Sequence, residues 1–216
     1  LFRSSAASDV YKRQGKGAPL IPAFHQYLLS EKETEKLVLN IGGICNGTYL
    51  KDENIIHSSD IGPGNCLLDA TMRNFNLGKF DLDGSLASKG NVDSFLLEEL
   101  LSQIDSLPYP RADDLSVYMN LLEKNKKFLD QKTPEDILST LTELTVKKIQ
   151  EYFNFCGAPE KVIFHGGGAE NKYLMHRIKE TIKAEISTID NLISSKYVES
   201  AAFAYLAFKE RAVLFK

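Results

Sequence analysis

A chain of 216 residues, 43% hydrophobic and 25% charged, has the apolar material for a domain-sized core, so disordered and fibrous classes drop out. Its net charge of -3 offers no electrostatic footprint for nucleic acid or an anionic membrane surface. Cys45, Cys66 and Cys156 lack a C-x-x-C spacing and read as reduced core thiols; no apolar run approaches the roughly 18 residues of a membrane span, so the expected compartment is the cytoplasm.

Residues 1–14, LFRSSAASDVYKRQ, have neither a helical nor a strand period and look like translated cloning or adaptor sequence. They read as a non-native or disordered segment, leaving 15–216 as the structured unit. Glycines and prolines at 15–22 suit a loop entering a helix over 23–29 that carries His25 as a partly packed side chain. An apolar strand over 37–41 closes on Gly42 and Gly43. Asn46-Gly47 predicts a type I′ hairpin turn, 48–50 returns, Asp52-Glu53-Asn54 turns again, and a third strand over 55–59 ends on Asp60. The run Gly62-Pro63-Gly64 is then expected to turn the chain and Asn65 to cap a helix reaching about Phe75, whose free N–H groups would lie beside the Asp60 loop.

Residues 79–131 form a helical insertion in this reading. It opens with a glycine-rich acidic surface connection (78–91) and a helix over 92–101 with Phe95, Leu96 and Leu100 inward. An extended turn at 107–111 and one weakly patterned helix over 115–129 follow. Thr133-Pro134-Glu135-Asp136 is a helix start, with Thr as cap and Pro at the first helical position, and Cys156-Gly157 is its stop. A strand over 161–165, the turn Gly166-Gly167-Gly168, a helix from near Glu170, a strand over 185–189 and a helix over 196–210 complete the chain. A three-strand meander followed by alternating helices and strands is the ribonuclease H-like order of actin-like ATPase lobes: an α/β fold with a mixed sheet and flanking helices.

Two glycine clusters at strand ends flank Asp60, and glycine lets backbone approach a phosphate that side chains would block. An aspartate ionised at neutral pH in that position suits a general base, a role worth roughly 10²–10⁴ in rate. Alone, each glycine cluster is equally a tight turn and Asp60 equally a turn residue; together they point to phosphoryl transfer. Glu199, in the first turn of the last helix, reads as a solvated acid favoured by the helix dipole, and His165 as a packed histidine. A non-catalytic nucleotide-binding module, or a kinase for an ordinary sugar hydroxyl, are the alternatives.

The segments GKGAPLIPAFHQ, NIGGICN, DIGPGN, DLDG-x-LASKG-x-V, LPYP, TLTELT, FHGGGAEN and VESAAFAYLA resemble, in order, the anhydro-N-acetylmuramic acid kinase family. The resemblance covers Gly15 to Phe208. It implies the C-terminal lobe of an ATP- and Mg²⁺-dependent enzyme of cell-wall recycling that converts 1,6-anhydro-N-acetylmuramic acid and water to N-acetylmuramic acid 6-phosphate. It further implies a homodimer when full length, with no nucleic-acid or membrane partner. Carried over by position, Asp60 would activate water. Asn40, Gly42 and Gly43 would approach the nucleotide phosphates. Gly62, Pro63, Gly64 and Asn65 would approach sugar and phosphate, and Gly166, Gly167, Gly168 and Asn171 the adenosine; Glu199 falls on an acid near the active site. Two departures stand out. The family's N-terminal glycine-rich phosphate loop is not in this sequence, which leaves the chain short of activity on its own. The Lys-Ser-x-Gly run expected after LPYP is replaced by RADDLSVYM, which puts the sugar contacts of 111–119 in question.

Overall fold

The computed structural model describes residues 20–104 and 108–214, with side chains over 21–104 and 108–209. The readings of residues 1–14, of the loop at 15–19 and of residue 107 lie outside them. Helix α1 (Leu20–Leu29) leads into an antiparallel meander of β1 (Glu35–Ile41), β2 (Ile44–Lys51) and β3 (Asn54–Pro63). After α2 (Cys66–Asn74) come the insertion helices α3 (Ser94–Gln103), α4 (Leu115–Lys124) and α5 (Lys126–Leu129), then the long α6 (Pro134–Phe155). Strand β4 (Lys161–His165), α7 (Lys172–Thr181), β5 (Glu185–Thr188) and α8 (Val198–Leu214) follow. The sheet order is β3-β2-β1-β4-β5, with β4 parallel to β1 and β5 parallel to β4. This is the expected mixed sheet.

Strand alternation splits the core into two layers. Leu37, Leu39, Ile41, Val162 and Phe164 pack with Ile149, Tyr152 and Phe153 of α6 and Leu174 and Ile178 of α7. Val38, Leu50 and Ile163 pack with Phe24, Leu29, Val198 and Ala202 of α1 and α8. At 22 residues, α6 is about 33 Å long, enough to serve two cores. Its first half carries Ile137, Leu138, Leu141 and Leu144 against Leu67, Leu96, Leu100, Tyr118 and Leu121, and its second half covers the sheet. Each such fully buried apolar side chain contributes about 1.5–3 kcal/mol relative to exposure. The helix begins as its sequence demands, with the Thr133 side chain accepting from the Asp136 N–H at 3.2 Å, and stops where Gly157 takes φ +81°.

Several expectations require correction. Asn46-Gly47 is no hairpin turn: β2 runs straight through it, and the chain reverses at Gly42-Gly43 instead. Gly47 is there for room, since a β-carbon would stand 2.4 Å from the Tyr152 ring and 3.0 Å from Leu39. Strand β3 does not stop at Asp60 but continues through Gly62 and Pro63, with a bulge opposite Cys45 and Asn46. Asn65 occupies the cap position of α2 without capping; its Nδ2 donates to the Ile41 carbonyl at 3.1 Å. Phe95 faces outward, 65% exposed, because the buried stripe of α3 runs through Leu96, Leu97 and Leu100, and at about 100° per residue Phe95 falls outside it. The helix expected over 115–129 breaks at Asn125, whose side chain turns to Gln103 and to the Leu121 carbonyl. The connection over 78–91 is partly structural: buried Asp81 accepts from the Leu86 and Ala87 amides.

Candidate functional site

Strands β1, β3 and β4 point the same way, so their C-terminal ends share one edge, where open α/β sheets bind ligands. Near that edge the register puts four polar residues in one row: Asp60 opposite Asn46, Asn46 opposite Asn40, and Asn40 opposite His165. Three strand spacings separate the ends of the row, about 14 Å. Asp60 is half-buried at the outer end, and the triple-glycine turn leaves from the inner end. Sequence reading brought these two features together, and the sheet places them on the same edge.

The glycines between them make a stitched turn. Gly64 and Cys66 donate their amides to the Gly43 carbonyl at 2.9 and 3.1 Å, and Asn65 donates to the Gly42 carbonyl at 2.8 Å. Of α2 itself this engages the Cys66 amide, the first of the N–H groups expected to be free at this end. Gly64 must be glycine, because a β-carbon would stand 2.3 Å from the Gly42 oxygen. Gly62, Pro63 and Gly64 are buried against α6, where the Thr145 hydroxyl donates to the Pro63 carbonyl at 3.0 Å and the Lys148 stem packs on Gly62. Asn40 is buried as well, its Oδ1 2.3 Å from where a β-carbon on Gly166 would stand; Gly166 itself has φ +84°.

Gly167 differs from its neighbours. It is exposed, and a β-carbon there would meet only Asn65 Nδ2, at 3.8 Å, whereas one on Gly168 would stand 2.2 Å from Ile41. Gly167, Asn171, Asn65, Asp69 and Glu170 line a cleft of about 320 Å³ whose far wall is Phe80 to Asp83. Asn171 caps α7, its Oδ1 accepting from the Leu174 N–H at 3.0 Å. Carboxylates on these walls repel phosphate but accept from hydroxyl and amino groups, so the cleft suits a neutral polar group such as a nucleoside. Among the described residues no group of three or more His, Cys, Asp or Glu side chains could hold a metal ion. A Mg²⁺ ion here would be held mainly by phosphate oxygens and water, its usual arrangement.

Sequence reading missed the cover on Asp60. Residues 111–113 lie against it: the Asp60 N–H donates to the Arg111 carbonyl at 3.0 Å, and the Asp113 N–H donates to Asp60 Oδ2 at 2.8 Å. No periodicity links positions 53 residues apart, so no local signal carried this. Glu199 stands exposed in the first turn of α8, which the chain enters from β5 at the edge of the sheet opposite Asp60. His25 and His165 are packed, as their sequence contexts suggested for both. They join Nε2 to Nε2 at 3.0 Å, with His25 Nδ1 3.0 Å from the Thr48 hydroxyl, and burial holds both below the usual imidazole range, to about 3 and about 4. The three cysteines are buried free thiols; burial pushes Cys66 up to about 11 and Cys156 up to about 12, so neither is a nucleophile.

Comparisons with known proteins bear on the family and the fold. The family model described as anhydro-N-acetylmuramic acid kinase matches residues 7–214. A kinase of that name from Gamma-proteobacterium EBAC31A08 is 38% identical over 198 residues, covering 90% of this chain and 54% of the relative. Another from Pseudomonas savastanoi pv. phaseolicola is 37% identical over 216 residues, covering 96% and 59%. The chain thus spans little more than half the length of the curated relatives it matches. Among solved structures, the activator of the 2-hydroxyisocaproyl-CoA dehydratase from Clostridium difficile with bound ADPNP aligns with a TM-score of 0.56 at 15% identity, covering 91% of this chain and 68% of that one. Component A of the Acidaminococcus fermentans (R)-2-hydroxyglutaryl-CoA dehydratase aligns with a TM-score of 0.54, also at 15% identity, over 87% and 66%. Those two likenesses show the fold, an actin-like ATPase lobe. By sequence, the chain belongs to the anhydro-N-acetylmuramic acid kinase family.

Proposed function

We propose that the full-length protein carrying this chain is an ATP-dependent kinase that hydrolytically opens 1,6-anhydro-N-acetylmuramic acid and phosphorylates O6, giving N-acetylmuramic acid 6-phosphate in cell-wall recycling. The observation that carries this reading is the polar row ending on Asp60, on the same sheet edge as the glycine turn and the nucleoside-sized cleft. Asp60 takes a proton from water as the water oxygen bonds to the anomeric carbon. The bond from that carbon to the bridging oxygen breaks, and the bridging oxygen, now O6, takes the γ-phosphoryl group as ADP leaves. The proton on Asp60 then passes to solvent. Holding water and sugar in line supplies much of the acceleration, since well-oriented groups can contribute about 7–11 kcal/mol of barrier.

Gly167 and Asn171 receive the adenosine, and Asn40 with the Gly42, Gly43, Gly166 and Gly168 backbone shapes the path of the phosphates. Of the run 62–65, Asn65 has surface left to meet sugar or phosphate. Mg²⁺ bound with ATP would neutralise phosphate charge. Glu199, on a helix entered from the opposite edge of the sheet, is a lesser candidate than Asp60. No described helix is long and apolar enough to cross a membrane. A cytoplasmic homodimer completes the proposal.

The test is to supply the full-length protein with ATP, Mg²⁺ and the anhydro-sugar in ¹⁸O-water. ADP release that requires the sugar is expected, with one ¹⁸O in the sugar and none in the phosphate ester. Tight ATP binding with no sugar-dependent turnover would favour a nucleotide-binding module, and turnover of ordinary sugars alone would favour another kinase specificity.

A further inference from the structure

Strand β3 is an edge strand, and a carboxylate on an edge has two free torsions and water on one side. At Asp60 that freedom is removed by a segment from the insertion. The Ser59 hydroxyl accepts from the Arg111 N–H at 2.8 Å and donates to the Asp60 carbonyl at 2.7 Å. The Asp60 N–H donates to the Arg111 carbonyl at 3.0 Å, and the Asp113 N–H holds Asp60 Oδ2 at 2.8 Å. Backbone amides cannot swing as side chains do, so this last bond sets the direction of the carboxylate.

The segment is itself braced. The Arg111 guanidinium donates through Nη2 to the Ile61 carbonyl at 2.5 Å and pairs through Nε with the Asp113 carboxylate at 3.0 Å. These two side chains are only 5% and 11% exposed, so neither charge can lose its partner cheaply. Tyr118, buried in α4, donates its hydroxyl to Asp113 Oδ2. Burial and the Asp113 carboxylate hold that hydroxyl well above the usual phenol range, which keeps it a donor. A chain of contacts therefore runs from α4 through Tyr118, Asp113 and Arg111 to both sides of Asp60.

We infer that Arg111 and Asp113, braced by Tyr118, are positioning residues that fix the Asp60 carboxylate for proton transfer. This rests on Asp60 being the base. It gives the segment 111–113 a role toward the base, through the bonds to Asp60 just described.

The test compares Asp113→Asn and Tyr118→Phe, each alone and combined with Asp60→Asn, in the full-length protein. Both single variants keep size and shape. We expect kcat to fall about 10- to 100-fold in Asp113→Asn and 3- to 10-fold in Tyr118→Phe, as when positioning but not chemistry is lost. KM for ATP should hold, and neither substitution should cost anything further in the Asp60→Asn background, because residues acting as a unit are non-additive. Unchanged kcat in both single variants, with Asp60→Asn impaired, would overturn the inference and leave the base in place; so would losses that multiply with that of Asp60→Asn. Full activity of Asp60→Asn would instead remove the reading beneath it. Independently of turnover, the Asp113 amide proton should follow ionisation of the Asp60 carboxyl in an NMR titration, and an amide indifferent to it would also overturn the proposal.

Discussion

Gly47 of β2 packs directly against the ring of Tyr152 on α6, leaving no space for a side chain between strand and helix. A β-carbon would stand 2.4 Å from Tyr152 Cε1 and 3.1 Å from Cδ1, and Tyr152 is fully buried. Gly47→Ala should therefore destabilise the protein by about 1–3 kcal/mol, the usual cost of overpacking a core. Urea unfolding would show it as a lower midpoint with an unchanged slope; an unaltered midpoint would mean that Tyr152 can move aside.

That contact also explains where the sequence misled. Asn-Gly is a strong local turn signal, but at 46–47 the glycine answers to a ring 105 positions away, so tertiary space overrode turn chemistry. The strands, the glycine turn at 166–168 and the Thr133 cap were legible because each is encoded locally, by apolar runs, absent side chains and a capping residue. Asp60 and the glycine clusters were singled out in the sequence as acid and glycine near strand ends, although β3 runs on past Asp60 to Pro63. The contact between Asp113 and Asp60 spans 53 positions and is made through a backbone amide, which no side-chain pattern records. Phe95 failed for a smaller reason: the inward stripe of α3 is centred on Leu96, Leu97 and Leu100, and Phe95 lies on the far side of it.

The glycines of the 166–168 turn should separate by function. Gly168→Ala meets Ile41 at 2.2 Å and should lower stability by about 1–3 kcal/mol. Gly167→Ala meets only Asn65 Nδ2, at 3.8 Å, and should leave stability within about 0.5 kcal/mol while weakening binding of a non-hydrolysable ATP analogue, because its methyl group enters the cleft. Thermal melting beside calorimetric titration measures both. Equal analogue affinity in Gly167→Ala and the parent would remove Gly167 from the nucleotide site.

The buried His25–His165 pair should make stability depend on pH. Both groups have folded values lowered by burial, to about 3 and about 4. The unfolded chain binds these protons near pH 6.5 and the folded one does not, so stability is complete above that pH and is lost as pH falls toward 4. Two such groups give a slope of up to roughly 2–3 kcal/mol per pH unit in that window. Urea midpoints measured from pH 7.5 to 4.5 should fall accordingly, and the fall should be shallower in His25→Gln.

Thr133→Ala removes the side chain that accepts the Asp136 N–H at the start of α6, and should cost about 1 kcal/mol. Thr133→Ser should restore most of it. Chemical unfolding of the pair measures the difference, and identical midpoints would show that Pro134 and the first-turn acids suffice to start the helix.

The most direct measurement of the proposed chemistry is the turnover of Asp60→Asn in the full-length protein, with saturating ATP, Mg²⁺ and 1,6-anhydro-N-acetylmuramic acid. Asparagine keeps the shape of the side chain and cannot accept the proton of water. We expect kcat to fall roughly 10²–10⁴-fold with the affinity for ATP retained. A kcat within a few-fold of the parent would contradict the assignment of Asp60 as the base that activates water.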